Sequence, residues 1–428
     1  MSTRAVTLAP PYPRLGEVLR TLLGALDMKG DDPRIDRFAR DGDYDCELFD
    51  IIKRERLLKP LAEWIGDDFA DFLCEQIDYR QEMYVDLINR VPLDALTRTE
   101  AWPVLLQHFF LPNIAAFLQQ LHQRWPGPIA ELVTGKRPAL AAVLEWIEGS
   151  SDHSLATLCD FGDVDVKLKS DQIERWRRSA LPDFGSLKLL VKALGHGHRV
   201  DSGVMTSVKP WLLIARGLDW AERRCPDFLA QTGNALSALQ ILASPDVVLA
   251  LSLCNEEHAQ PLAKVRDAWP DSYRYLMGTM PKLPGDQARA ASALHAFAAA
   301  ASDHDPKGLA SFMIWWHQGR FEILSGRAPE AMALFEKALQ LAIYRSGHAR
   351  DIWLDYMALA ANQAHRTRLT ALIHLGATML WRDFPKCTGV TAIDDHSRYL
   401  VEDDEMAFWQ RAFDLRFPAS GYFFESTT

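Results

Sequence analysis

Runs that alternate valine, isoleucine or threonine with polar residues are almost missing from this 428-residue chain, VDVKLK at 164–169 being a strand-like exception, which points away from half-buried strands. Cysteine is sparse as well. The six thiols (Cys46, Cys74, Cys159, Cys225, Cys254, Cys387) are scattered with no CxxC pair, which leaves no disulfide framework or cysteine-based zinc site and reads as buried free thiols. The longest apolar stretches, such as Val247 to Leu251, are too short to span a bilayer, so no membrane partner is expected. The opening MSTRAVTLAPPYPR lacks the apolar centre of a secretory signal, and the expected location is cytoplasmic. Basic charge is in deficit: 47 Lys and Arg face 57 Asp and Glu, a net charge of −10. Attraction of the whole surface to nucleic acid is thereby opposed, and any such contact must be local.

Catalytic signatures are missing too. The chain has no Walker loop, dinucleotide fingerprint, nucleophile elbow or zincin helix, and Thr134-Gly135-Lys136-Arg137 lacks the upstream glycine of a phosphate cradle. Histidine meets carboxylate at Asp303-His304-Asp305 and Asp394-Asp395-His396, but without a paired ligand set these read as surface loops, as does His196-x-His198. No catalytic residue, metal or cofactor is expected.

What is abundant is leucine and alanine in helical register, within a composition that is 48% hydrophobic. Leucines at 15, 19, 22, 23 and 26 make an apolar stripe that ends at Gly30-Asp31-Asp32-Pro33. Similar patterns run over 47–64, 69–91, 102–125 and 138–147, and Pro112 is expected to kink or split the third of these. Small and polar residues at 149–152, the Gly195-His196-Gly197-His198 stretch continued by Asp201-Ser202-Gly203, and Met280 to Asp286 are candidate breaks. The organisation they imply is an N-terminal helical region at 1–148, a small basic module at 149–203 and a helical-repeat region at 204–428. The fold class is all-α, a helical-hairpin array.

The sharpest motif is WWHQGRFEILSGRAPEAMALFEKAL, where Trp315, Gly319, Gly326, Ala331, Phe335 and Ala338 follow W-x3-G-x6-G-x4-A-x3-F-x2-A. Gly319 and Ala331 are small enough for two helices to approach closely, and the larger residues supply an apolar face that a neighbouring hairpin must cover. This pattern resembles a tetratricopeptide repeat, with Gln318, Glu322 and Ile343 departing from the usual residues. The resemblance implies a superhelical C-terminal half, with its core at 287–381, and a concave groove for a peptide or protein partner lined by Met313, Trp316, Arg320 and Ile323. A packing role for the adjacent tryptophans is the competing reading.

A second resemblance is carried by SDQIERWRRSALPDFGSLKLLVKAL at 170–194. Ile173, Trp176, Pro182, Leu187, Leu190, Ala193 and Leu194 hold the apolar places of the second half of a lambda-repressor-type helix-turn-helix domain. Ser179 stands where that family often has glycine, and the upstream 155–169 stretch lacks a clear first helix-turn pair. Between Val166 and Arg199 eight basic residues face three acidic ones, against the sign of the whole chain. The resemblance implies that Gln172, Arg175 or Arg178 would reach base edges while Lys167 and Lys169 meet phosphates, with Arg177 and Lys188 also on the nucleic-acid-binding side. A solvated basic face is the plainer account of the same residues. The favoured function is therefore a non-enzymatic macromolecule-binding protein that uses its helical-repeat surface. A DNA-binding regulator using 165–199 is the alternative, and an enzyme with an unrecognised helical site is the third.

Overall fold

The computed structural model describes residues 9–41, 46–151, 153–159, 170–195, 200, 202–240, 247–269, 286–380 and 401–418. The described residues are helical with no strand, so the chain is all-α. In chain order the helices are α1 (Leu15–Ala25), α2 (Pro33–Asp41), α3 (Cys46–Ile52), the π-turn π1 (Lys53–Leu58), α4 (Lys59–Trp64), α5 (Asp67–Arg90), α6 (Arg98–Leu105), π2 (Leu106–Phe110), α7 (Leu111–Arg124) and α8 (Ile129–Leu132). Then come α9 (Ala139–Gly149), α10 (Leu155–Cys159), α11 (Ser170–Arg178), α12 (Phe184–Gly195), α13 (Ser202–Glu222), α14 (Phe228–Gln240), α15 (Val247–Glu257) and α16 (Gln260–Asp267). The last group is α17 (Asp286–His304), α18 (Ser311–Leu324), α19 (Ala328–Ala342), α20 (Ala349–Asn362), α21 (Arg366–Leu375), π3 (Gly376–Leu380) and α22 (Asp403–Arg416).

The leucine stripe of α1 does what its spacing requires: Leu15, Leu19 and Leu23 are buried. Two prolines are handled by π-turns. Pro112 does not split its helix; α6, π2 and α7 run on as one helix from Arg98 to Arg124. Leu111 N–H reaches back to Leu106 O, five residues away, and Lys59 N–H reaches Arg54 O in the same way just ahead of Pro60. Each π-turn ends two residues before the proline, so the wider ring absorbs the register lost with the missing N–H. Length and composition would allow the Arg98–Arg124 helix to cross a membrane, which the reading of short apolar runs missed because Gln107, His108 and Asn113 interrupt it. It is folded against the chain, with Ala101, Leu105, Phe109, Ala115, Leu118 and Leu121 buried.

The three sequence-defined segments share one interior. Buried residues from Tyr12 to Phe417 form one contiguous cluster. Helix α14 packs on α7, and α13 packs on α1, α9 and α12. Asp219 of α13 accepts from Ala139 N–H at 2.6 Å and Leu140 N–H at 3.0 Å, capping α9, whose nearly continuous apolar sequence suits its burial. The N- and C-terminal parts of the chain also meet, through Tyr344 Oη, which accepts from Leu15 N–H at 3.3 Å, and Asn89 Nδ2, which donates to Met379 O at 2.8 Å.

Within the C-terminal array α18 and α19 form the expected close hairpin. A Cβ on Gly319 would stand 2.6 Å from the Phe335 ring, and Ala331 is fully buried, so the small residues set this approach. Beyond the hairpin the array closes. Helix α20 packs against α19, α21 and α22, and nearly every residue from Ile352 to Ala361 is buried. Met406, Trp409, Phe413 and Phe417 of the C-terminal helix and its end are buried too.

Candidate partner-binding surface

The four residues expected to line a groove lie in the interior. Trp316 donates from Nε1 to Asp355 Oδ2 at 2.7 Å, and Arg320 Nε donates to the same oxygen at 2.6 Å with its guanidinium 4.4 Å from the Trp316 ring centroid. From the other side Arg416 of α22 donates to Asp355 Oδ1 at 2.6 Å. Asp355 is 0% and Arg320 1% exposed, and Met313 and Ile323 are equally enclosed. Placing Met313, Trp316, Arg320 and Ile323 on an accessible groove is thus corrected by the structure. The cause is long-range: Asp355 of α20 balances the Arg320 charge, which lets an Arg–Trp face close upon another helix and upon α22.

The basic module is only partly displayed. Lys167 and Lys169 lie outside the described residues. Ile173 and Trp176 point inward, and Leu187, Leu190, Ala193 and Leu194 are buried, as their apolar spacing required. Arg175 and Arg178 are exposed, but Asp171 and Glu174 share their helix face at i, i+3, i+4 and i+7 and are exposed with them. Arg177 turns aside to Glu148 of α9 at 2.7 Å. Gln172 is half-buried with Nε2 3.5 Å from Ser186 Oγ, and the half-buried Lys188 ammonium sits 4.4 Å from the Phe184 ring centroid. Ser179 has φ +129°, a backbone region that favours glycine, at the position where the resembled family often has glycine. The described face of α11 is therefore charge-mixed rather than basic.

A third surface, which helix-by-helix reading missed, is apolar. Trp102 of α6 is 39% exposed, its ring 5.5 Å from that of Phe110 on the same helix. Phe110 in turn lies 5.8 Å from Tyr84 of α5, and Arg80 of α5 donates to Asn113 O at 3.3 Å. The residues preceding those two contacts on α5, Tyr79 and Met83, are 56% and 37% exposed. On the other flank α15 packs against α6 and π2, fixed by Asn255 Oδ1 accepting from Ala95 N–H at 3.0 Å. It carries exposed Leu249 and Leu253 one turn apart. Exposed aromatic and methionine side chains are types enriched at protein interfaces, and the exposed leucines of α15 extend the apolar area around them. The available signal was the Trp102, Leu106, Phe110 spacing, an apolar stripe about a quarter-turn round the helix from Leu105 and Phe109.

No protein-family model, curated protein or solved structure matches this chain.

Proposed function

We propose that this chain is a non-enzymatic macromolecule-binding protein that docks a protein partner on the apolar face of α5, α6, π2 and α15. The observation that carries the reading is the partly exposed Trp102, in ring contact with Phe110, together with exposed Tyr79 and Met83 on α5, whose Tyr84 meets Phe110, and exposed Leu253 on α15, which packs against α6. An amphipathic helix or a flat apolar patch of a partner fits such a face, with Trp102 as its central anchor. Interspersed Gln107 and His108 on the same helix favour a protein surface over lipid, because a lipid environment leaves their polar groups without donors and acceptors.

The test is site-specific photo-crosslinking in cells of the source organism, with a benzophenone amino acid at 102 and a control at the exposed Arg411 of α22. A discrete protein adduct at 102 and none at 411 is the expected result, and Leu253→Glu in the same chain should abolish it. No adduct at 102, or the same adducts at both positions, would overturn the proposal.

A further inference from the structure

The apolar face of α5, α6, π2 and α15 is rimmed by charge of one sign. From Asp67 to Asp86 helix α5 carries seven carboxylates and one cation, Arg80, so its solvent side is anionic along most of its length. Asp71, Glu75, Glu82 and Asp86 are exposed. The last three stand three or four residues from exposed Tyr79 or Met83, which makes them neighbours of those apolar side chains on the helix surface. The other flank repeats the arrangement. On α15 exposed Leu249 and Leu253 lead into exposed Glu256 and Glu257, three and four residues on from Leu253, and the helix has no lysine or arginine.

The cations around the face are turned to the chain's own oxygens. Arg80 donates to Asn113 O and Gln76 O, and Lys53 pairs with Asp50 and Asp78. Arg98 holds Pro10 O and Glu17, and Lys307 pairs with Glu100. Arg90 is the exposed exception, one turn beyond Asp86 at the end of α5. Among the described residues no cation pairs with Asp71, Glu75, Glu256 or Glu257.

We propose that the occupant of this face is a cationic amphipathic helix of a partner protein, an apolar stripe edged on both sides by lysine or arginine. The inference rests on the docking reading above and adds the sign of the partner. Trp102, Tyr79 and Met83 take the stripe, and the carboxylates of α5 and α15 meet the two basic edges. A second copy of this chain is disfavoured, because pairing the face with itself sets one acidic rim against another. Nucleic acid and anionic lipid are repelled by the same rims. Length is set as well: Asp71 to Asp86 rises about 22 Å, which a partner helix of about 15 residues covers.

The full chain should be titrated by fluorescence anisotropy with three peptides of about 18 residues that share leucines at i, i+3, i+4 and i+7 and carry lysine, glutamine or glutamate beside them. At about 50 mM salt the lysine peptide should bind at least about tenfold more tightly than the glutamine peptide and the glutamate peptide most weakly, a preference that shrinks at about 300 mM. Glu75→Lys with Glu256→Lys, one change on each rim, should erase the preference. Glu402→Lys with Asp404→Lys, the same charge change at the exposed start of α22, should leave it. Trp102→Ala should weaken the lysine and glutamine peptides alike. Equal affinity for those two peptides, both weakened by Trp102→Ala, would overturn the cationic assignment and leave the docking face standing. A preference reduced equally by the two double variants would mark a general attraction to an acidic chain and would overturn it too. No binding of any of the three would overturn it, with the crosslink at 102 deciding the docking face separately, and binding indifferent to Trp102→Ala would overturn both readings.

Discussion

Asp355→Ala separates a closed interior from an open groove by magnitude alone. In the wild type the carboxylate is fully buried and receives Trp316 Nε1 at 2.7 Å, Arg320 Nε at 2.6 Å and Arg416 Nε at 2.6 Å. Removing it leaves the Arg320 guanidinium inside the fold without the anion that balances it, a loss of about 3–5 kcal/mol. Had this cluster lined a solvent-filled groove, the same substitution would have removed a surface ion pair worth about 0–1 kcal/mol. The ranges do not overlap. With a urea slope of about 3 kcal/mol/M the unfolding midpoint should fall by about 1 M or more, read by tryptophan fluorescence and far-ultraviolet circular dichroism together. A second variant sharpens the argument: Asp355→Leu with Arg320→Met removes both charges at similar volume. It should recover most of the loss, apart from about 1 kcal/mol each for the Trp316 donor and the Arg416 donor left without their acceptor, Arg416 being part-exposed and able to turn to water. A loss under about 1 kcal/mol for Asp355→Ala, or a double variant worse than the single one, would refute the buried-pair account.

Ser179 sits at φ +129°, so Ser179→Gly should raise the unfolding free energy by about 1 kcal/mol in the same urea assay, and a loss would mean that its side chain matters more than its backbone. Gly319→Ala drives a Cβ to 2.6 Å from the Phe335 ring and should cost about 1–3 kcal/mol, with Phe335→Leu in the same chain recovering part of it. Burial outweighs two backbone donors at Asp219 and raises its pKa to about 6 from 3.8. The stability tied to its protonated form is thus complete below pH 3.8 and is lost as the pH rises through about 6, up to about 3 kcal/mol. Asp219→Asn should therefore gain stability relative to wild type between pH 4 and pH 7; a constant difference across that range would refute the shift. Because α11 mixes Asp171 and Glu174 with Arg175 and Arg178 on one exposed face, duplex DNA should show no salt-sensitive anisotropy change, and binding that Arg175→Glu/Arg178→Glu abolishes would reverse that view.

Local pattern was legible where one element decides its own environment. The Leu15, Leu19, Leu23 stripe, the inward Trp176 and the Gly319–Phe335 approach are all set by residues within one helix or one hairpin. Pro112 was legible as a perturbation, but its outcome depended on whether the preceding turn could widen, and the Leu106–Phe110 π-turn keeps the helix whole. The buried cluster was not legible. Asp355 lies 35 residues from Arg320 and Arg416 lies 61 residues beyond Asp355, so no spacing rule connects them.

Trp316 with Arg320 and Trp102 with Phe110 show why residue type alone misassigned the surface. Both pairs stand four or eight residues apart on a helix, and both contain the side chains that interfaces prefer. Their fates diverge because Trp316 and Arg320 find an internal acceptor in Asp355 and a lid in α22, whereas helix α6 spends its buried side on Ala101, Leu105 and Phe109 and turns Trp102 outward. An arginine beside a tryptophan in an apolar helix is therefore as much a signal for a distant carboxylate as for a partner. The more informative signal for a docking face is an apolar residue that stays exposed at the margin of a helix side already filled by others, and by that criterion Trp102, not Trp316, is the residue proposed as the anchor.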